Sequence, residues 1–210
     1  MTLRIRIASR KSNLAIRQVE ILKEHLSKDI EINIIEVVTS ADKALDKSLA
    51  DIGGKGLFIK ELENTILKDG ADIAVHSMKD METELEKKKK IAGVLPRGSR
   101  SDVLLGQYST LDDLPDGAVI GTSSVRRGAF AKSYRPDLQI KLLRGNVGTR
   151  IDKLNNGVFD AIILAKAGLD RLNIDIGNII PKEIIPPAST QGIIAVQSTT
   201  NRKTKLEADL

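Results

Sequence analysis

Cysteine is missing from all 210 residues, which excludes disulfides, thiolate metal sites and a cysteine nucleophile within them. Aromatic residues are scarce, at 2% of the chain, and no tract interleaves them with basic residues. The stacking platform of a single-strand nucleic-acid binder is therefore lacking. Nowhere do roughly 18 apolar residues run together, so no membrane span is expected. The opening stretch Met1-Thr-Leu-Arg-Ile-Arg-Ile carries charge inside what would be a signal peptide's apolar region, and a cytoplasmic address follows by default. No spacing of His, Asp and Glu resembles a metal site, and no metal is expected. Low-complexity sequence is confined to Glu82 to Lys90, where alternating glutamates give way to four lysines, most simply a solvated loop or helix end.

What is present fits a globular protein: 41% hydrophobic and 29% charged residues, enough for one large core or two small ones. The 33 basic residues exceed the 28 acidic ones by a net +5 and are spread along the chain. That balance suits an acidic small molecule as well as it suits nucleic acid, and the missing aromatics leave nucleic acid the weaker alternative.

Periodicity predicts a strand over 3–8, a helix over 12–28 with Leu14, Val19, Leu22 and Leu26 on one face, and a strand over 32–38. After a polar, glycine-bearing loop come a helix over 57–68 and a strand over 72–76. The second half repeats this grammar, with strands over 118–121, 138–143 and 160–165 and helices opening at Thr122-Ser-Ser-Val-Arg-Arg and over 147–155. Two tandem α/β domains with mainly parallel sheets are expected, covering 1–94 with 190–210, and 99–186. The run Gly192-Ile-Ile-Ala-Val is expected to cross back into the first sheet. A cleft between two such domains is a standard place for a ligand.

Arginines fall where apolar runs give way to turns or helix starts, which in open α/β sheets is where ligands bind. Thr122-Ser123-Ser124 followed by Arg126-Arg127 joins helix-start amides and hydroxyls to two guanidinium forks, suited to carboxylates or phosphates. A capped helix with two solvent-facing arginines is as good a reading of that segment alone. In Leu143-Arg144-Gly145-Asn146-Val147-Gly148-Thr149-Arg150, two glycines let the backbone turn sharply between arginines, as a binding turn or a structural one. Arg10-Lys11-Ser12 offers either a further cation or a plain N-cap. Gly53-Gly54-Lys55-Gly56 fits neither the P-loop nor the dinucleotide fingerprint and reads as a mobile cover. At the end of a buried strand, His76-Ser77-Met78-Lys79-Asp80 brings a carboxylate beside a lysine, able to stabilise developing positive charge or shuttle a proton. A salt-bridged strand end is the bland alternative. His76 itself reads as a packed, hydrogen-bonded core residue, and His25 as a helix-surface one.

Taken together, Arg4-Ile-Arg-Ile-Ala-Ser-Arg-Lys-Ser, Gly53-Gly-Lys-Gly-Leu-Phe-Ile-Lys-Glu-Leu-Glu, Ala71-Asp-Ile-Ala-Val-His-Ser-Met-Lys-Asp, Gly121-Thr-Ser-Ser-Val-Arg-Arg, Leu143-Arg-Gly-Asn-Val-Gly-Thr-Arg and Phe159-Asp-Ala-Ile-Ile-Leu-Ala closely resemble the porphobilinogen deaminases, or hydroxymethylbilane synthases. The resemblance covers nearly the whole chain in the family's order. It implies two domains like those of type II periplasmic binding proteins, followed by a smaller third one. It also implies a transferase that joins four porphobilinogen units head to tail with loss of ammonia, on a dipyrromethane cofactor, in tetrapyrrole and haem biosynthesis. Every pyrrole carries acetate and propionate groups, in keeping with the many arginines. Asp80 would be the catalytic carboxylate. Lys79, Thr122, Ser123, Ser124, Arg126, Arg127, Arg144 and Gly145 would contact the cofactor, Arg10, Ser12, Arg150 and Arg171 the substrate, and the Lys55 loop would be the flexible cover. A monomer acting on a small molecule, without nucleic acid or membrane, is the implied state.

Departures from the family pattern fall at Asn13, Met81-Glu82, Ser189-Thr190, Gln197 and Ser198. The largest is the missing cysteine, since family members anchor the cofactor by a thioether in the third domain. A truncated member with weak or no turnover is therefore expected, with a non-catalytic polycarboxylate-binding module as the alternative.

Overall fold

A computed structural model describes residues 3–40, 56 and 59–201. The chain divides into two compact units, Met1–Arg97 with Ile193–Leu210, and Gly98–Gly192.

In the first unit, β1 (Leu3–Arg10), α1 (Asn13–Glu24), β2 (Ile30–Val37), α2 (Lys60–Leu67), β3 (Ile73–Ser77) and β4 (Lys89–Val94) are joined by a returning strand, β10 (Ile194–Thr199). The sheet order is β2-β1-β3-β10-β4. β1 pairs in parallel with β2 and β3, whereas β10 runs antiparallel to both β3 and β4. Successive strand residues face opposite sides, so Ile5 and Ile7 of β1 pack with Val19 and Leu22 of α1, while Ala8 packs with Leu62 and Ile66 of α2. Each face is thus covered by one helix, and the carboxyl ends of β1, β2 and β3 share one edge. Ser12 starts α1 by accepting a hydrogen bond from the Ala15 amide at 3.3 Å, which fixes how the chain leaves β1.

The second unit contains β5 (Asp102–Gly106), β6 (Val119–Gly121), α3 (Val125–Tyr134), β7 (Gln139–Lys141), α4 (Val147–Asn155), β8 (Ala161–Ala165), α5 (Lys166–Arg171) and β9 (Asn178–Ile179), in the order β7-β6-β8-β5-β9. β6 is parallel to β7 and β8, and β5 is antiparallel to β8 and β9. One face buries Leu104, Ile120 and Ile163 against Ala131 of α3, and the other buries Val103, Leu105 and Ile162 against Leu169 of α5.

Both sheets are therefore mixed: in each, three adjacent parallel strands are followed by one reversed strand, β10 or β5, and then by an outer strand, β4 or β9, that runs in the direction of the first three. The run at Glu82 to Lys90 is mostly exposed, as a solvated loop would be, but its end is not. Lys89 begins β4 and is buried, its ammonium bonded to Glu63 at 2.5 Å and within 3.5 Å of Glu86. A lysine can enter a core when a carboxylate meets it there, and that partner lies on another element, out of sight of the local sequence.

Candidate functional site

In the first unit, a small recess of about 70 Å³ opens where β1 and β3 end. Its polar lining is Arg10, Ser12, Gln18, His76, Ser77 and Asp80, over an apolar floor that includes Ile59, Leu62 and Val75. β3 passes directly into a single 3₁₀ turn, Met78–Asp80, whose closing bond runs from the Met81 amide to the Met78 carbonyl at 3.1 Å. That turn carries Lys79 and the half-buried Asp80. It is tied to the returning strand by the Met78 amide, which donates to the Ile193 carbonyl at 3.0 Å. Gln18, on the buried stripe of α1, donates through Nε2 to Ser77 Oγ at 2.7 Å. Four of the expected residues, Arg10, Ser12, Lys79 and Asp80, thus lie on this edge. Lys55 lies outside the described residues.

The second unit gathers the remaining expected residues at the carboxyl ends of its three parallel strands. After β6, Ser124 caps α3 by accepting from the Arg127 amide at 3.4 Å, and its own amide donates to Thr122 Oγ1 at 3.1 Å. Ser123 sits half-buried between them. After β7, Gly145 turns the chain at φ +116°, where a β-carbon would stand 2.8 Å from a Thr149 side-chain carbon. Only glycine takes that conformation without strain. Asn146 caps α4 by accepting from the Thr149 amide at 2.9 Å. Arg150 Nε donates to the Gly145 carbonyl at 2.8 Å, and Lys153 Nζ to the buried Arg144's carbonyl at 3.2 Å. After β8, Arg171 on α5 donates to the Gly192 carbonyl at 2.6 Å, and burial lowers its guanidinium below the ordinary arginine value.

Arg126 and Arg127 are not the two solvent-facing arginines that the capped-helix reading of that segment expects. Both reach the carboxylate of Asp102, which is 2% exposed. Arg126 Nη2 meets Oδ2 at 2.7 Å and Arg127 Nη2 meets Oδ1 at 2.7 Å, with Gln191 Nε2 adding a third donor to Oδ1 at 2.8 Å. Arg126 Nη1 also donates to the Pro186 carbonyl, Arg127 Nη1 to that of Ile163 at 3.2 Å, and Gln191 Nε2 to that of Arg100 at 2.6 Å. Burial alone would raise the Asp102 carboxyl, but the charges and hydrogen bonds of Arg127 and Arg126 outweigh it and hold it below the usual carboxylate value. Arg127 Nε, also buried, has no hydrogen-bond partner among the described residues. Asp102 and Gln191 escaped the sequence reading because their partners lie on distant elements. Gln18 did leave a signal: a polar side chain on the apolar stripe of Ala15, Val19 and Leu22.

The residues from 5 to 207 match the family profile described as "Porphobilinogen deaminase, dipyromethane cofactor binding domain". The chain belongs to the porphobilinogen deaminase family. It is 46% identical over 205 residues to the porphobilinogen deaminase of Buchnera aphidicola subsp. Acyrthosiphon pisum (strain Tuc7), covering 95% of this chain and 65% of that protein. The enzyme of Francisella tularensis subsp. holarctica (strain OSU18) is 47% identical over 208 residues, covering 97% of this chain and 69% of the relative. The chain therefore spans about two thirds of the length of these relatives. Among solved structures, an arginine transport periplasmic binding protein from Legionella pneumophila superposes with a TM-score of 0.56 at 14% identity, covering 99% and 90% of the two chains. A probable amino-acid extracellular-binding protein from Bacillus subtilis gives 0.54 at 13%, covering 100% and 89%. At those identities the likeness is one of fold alone, the type II periplasmic binding protein fold. Dipyrromethane is the family's cofactor. Among the described residues, no helix is long and apolar enough to cross a membrane and no cluster of His, Cys, Asp and Glu could hold a metal ion.

Proposed function

We propose that the protein is a hydroxymethylbilane synthase, condensing four porphobilinogen units head to tail with release of ammonia, and that Asp80 is its catalytic carboxylate. The observation that carries this reading is a half-buried carboxylate in a polar recess of one unit, in a chain that also sets arginines at three strand ends of its other unit, within a family of porphobilinogen deaminases. In each condensation the aminomethyl C–N bond breaks and ammonia departs. A C–C bond forms to the unsubstituted α-carbon of another pyrrole, which then loses its proton. Positive charge builds on pyrrole nitrogen as these bonds change. A fixed carboxylate at Asp80 opposes that charge without reorganising, the kind of preorganised stabilisation that dominates many enzyme rates. The domains that carry these roles are the two units, with Asp80 in the first and most of the arginines in the second.

The donor set after β6 and β7 fits the acidic side chains of dipyrromethane. Thr122, Ser123, Ser124 and the start of α3 offer hydroxyls and amides, Arg126, Arg127 and Arg144 offer charge, and Arg127 Nε is a buried donor still unused among the described residues. Lys79 and Gly145 belong to the same assignment, with Arg10, Ser12, Arg150 and Arg171 serving substrate carboxylates. Bound dipyrromethane supplies the pyrrole carbon at which growth begins. These 210 residues hold no cysteine for a thioether, so within them salt bridges and hydrogen bonds are the available means of holding it, and turnover by this chain alone is expected to be weak. A cytoplasmic monomer completes the proposal.

Expressed from its own gene, the protein is expected to release ammonia from porphobilinogen and to yield a linear tetrapyrrole, read as porphyrin after acid oxidation. Binding of porphobilinogen with neither ammonia nor porphyrin would reduce the protein to a polycarboxylate-binding module.

A further inference from the structure

Behind the Asp80 recess, a chain of buried and part-buried hydrogen bonds runs through the first unit. Lys89 Nζ donates to Glu63 Oε2 at 2.5 Å, Gln197 Nε2 donates to Glu63 Oε1 at 2.8 Å, and Gln197 Oε1 faces His76 Nε2 at 2.9 Å. Every link has a forced direction. The lysine can only donate, so Glu63 accepts as a carboxylate. The same carboxylate can only accept from Gln197, which fixes the amide with its nitrogen toward Glu63 and its oxygen toward His76. An amide oxygen accepts, so the proton of the imidazole must sit on Nε2. Gln197 and Lys89 are buried, His76 is 5% exposed, and His76 is part of the recess wall with Asp80. The neutral Nε2–H tautomer leaves Nδ1 as the ring's acceptor, and no hydrogen bond to Nδ1 occurs among the described residues.

We infer that His76, held in its Nε2–H tautomer by Gln197, Glu63 and Lys89, is a hydrogen-bond acceptor of the Asp80 recess and takes an N–H of the substrate's aminomethyl group. The recess then offers two acceptors to one ammonium: the Asp80 carboxylate and His76 Nδ1. Arg10, the cation in the same wall, repels an ammonium and attracts a carboxylate, so it orients a zwitterionic substrate with its amine toward His76. Burial lowers the imidazole to about 4 against the opposing bond to Gln197 and the charges of Glu63 and Asp80. The ring is thus neutral across the physiological range and can accept throughout it.

The choice of ligand rests on the proposed function, whereas the tautomer does not, and imidazole nitrogen NMR on the 210-residue protein separates the two. From pH 5.5 to 8, His76 is expected to show a protonated Nε2 and an unprotonated Nδ1. Porphobilinogen is expected to move the Nδ1 signal in the direction of an accepted hydrogen bond, while the analogue with methyl in place of aminomethyl leaves it in place. An imidazolium at pH 7, or a proton on Nδ1, overturns the inference. So does porphobilinogen that shifts other signals and not Nδ1, or an equal response to both ligands. If porphobilinogen shifts nothing anywhere, the proposed function itself fails and takes the ligand of this inference with it. In Gln197→Glu, a second carboxylate beside the ring should protonate Nδ1, and the response to porphobilinogen should disappear. An unchanged response in that variant also counts against the acceptor role.

Discussion

Removing the Asp102 carboxylate should damage the second unit more than any single surface change. In Asp102→Ala, Arg127 keeps only the Ile163 carbonyl, and its guanidinium is left charged in a site where 7% of the side chain is exposed. Arg126, at 23% exposure, retains the Pro186 and Gln191 oxygens and some access to water. Breaking a buried pair by deleting one partner costs about 3–5 kcal/mol, because the desolvated charge that remains is uncompensated. With a urea m-value of about 2 kcal/mol/M, the midpoint should fall by roughly 2 M. Asp102→Asn preserves the shape and one acceptor oxygen and should lose about half as much. The chain has no tryptophan, so unfolding is followed by far-UV circular dichroism, and hydrogen exchange in α3 and β8 localises the loss. Acid provides a second signature. The folded carboxyl lies below its ordinary value of 3.8, so its stabilisation is complete above the unfolded value and fades as pH falls through the folded one. The gap between the wild-type protein and Asp102→Asn should therefore be constant near neutrality and narrow below about pH 4. An Asp102→Ala midpoint equivalent to a loss under about 0.5 kcal/mol would refute the clamp.

Three further outcomes are expected. Gly145→Ala forces a β-carbon against Thr149 at positive φ and should cost about 1–3 kcal/mol in chemical denaturation; a neutral result would mean that the turn relaxes freely. Ser124→Ala removes the cap on α3 and should cost about 1 kcal/mol, with Ser124→Thr recovering most of it in the same thermal melts. Leu22→Ala opens a hole in the fully buried contact between α1 and the first sheet and should cost about 2–5 kcal/mol, read by urea denaturation.

The legible parts of the chain were those written in local pattern. Helix α4 follows its caps and periodicity and occupies Val147–Asn155 as expected. The run after Gly192 does return to the first sheet, as β10 between β3 and β4. His76 is the packed, hydrogen-bonded residue that its place on a buried strand suggests. Long-range pairing was not legible. β4 hides in a lysine run because Lys89 is neutralised by Glu63, far away in sequence. β5 is a three-residue apolar run opened by an aspartate, and what makes that aspartate tolerable is a pair of arginines more than twenty residues on. The same distance concealed that Arg126 and Arg127 already share an internal carboxylate. The sequence alone presented them as ligand forks or as surface charges.

The catalytic assignment of Asp80 is the centre of the account, and single-turnover ammonia release compared with porphobilinogen binding in Asp80→Ala tests it most directly. Loss of a preorganised charge-stabilising group should slow ammonia release by about 10²–10³-fold, while calorimetric binding of porphobilinogen through the arginines stays within a few-fold of the wild-type protein. Ammonia release at a near wild-type rate in that variant would contradict the account.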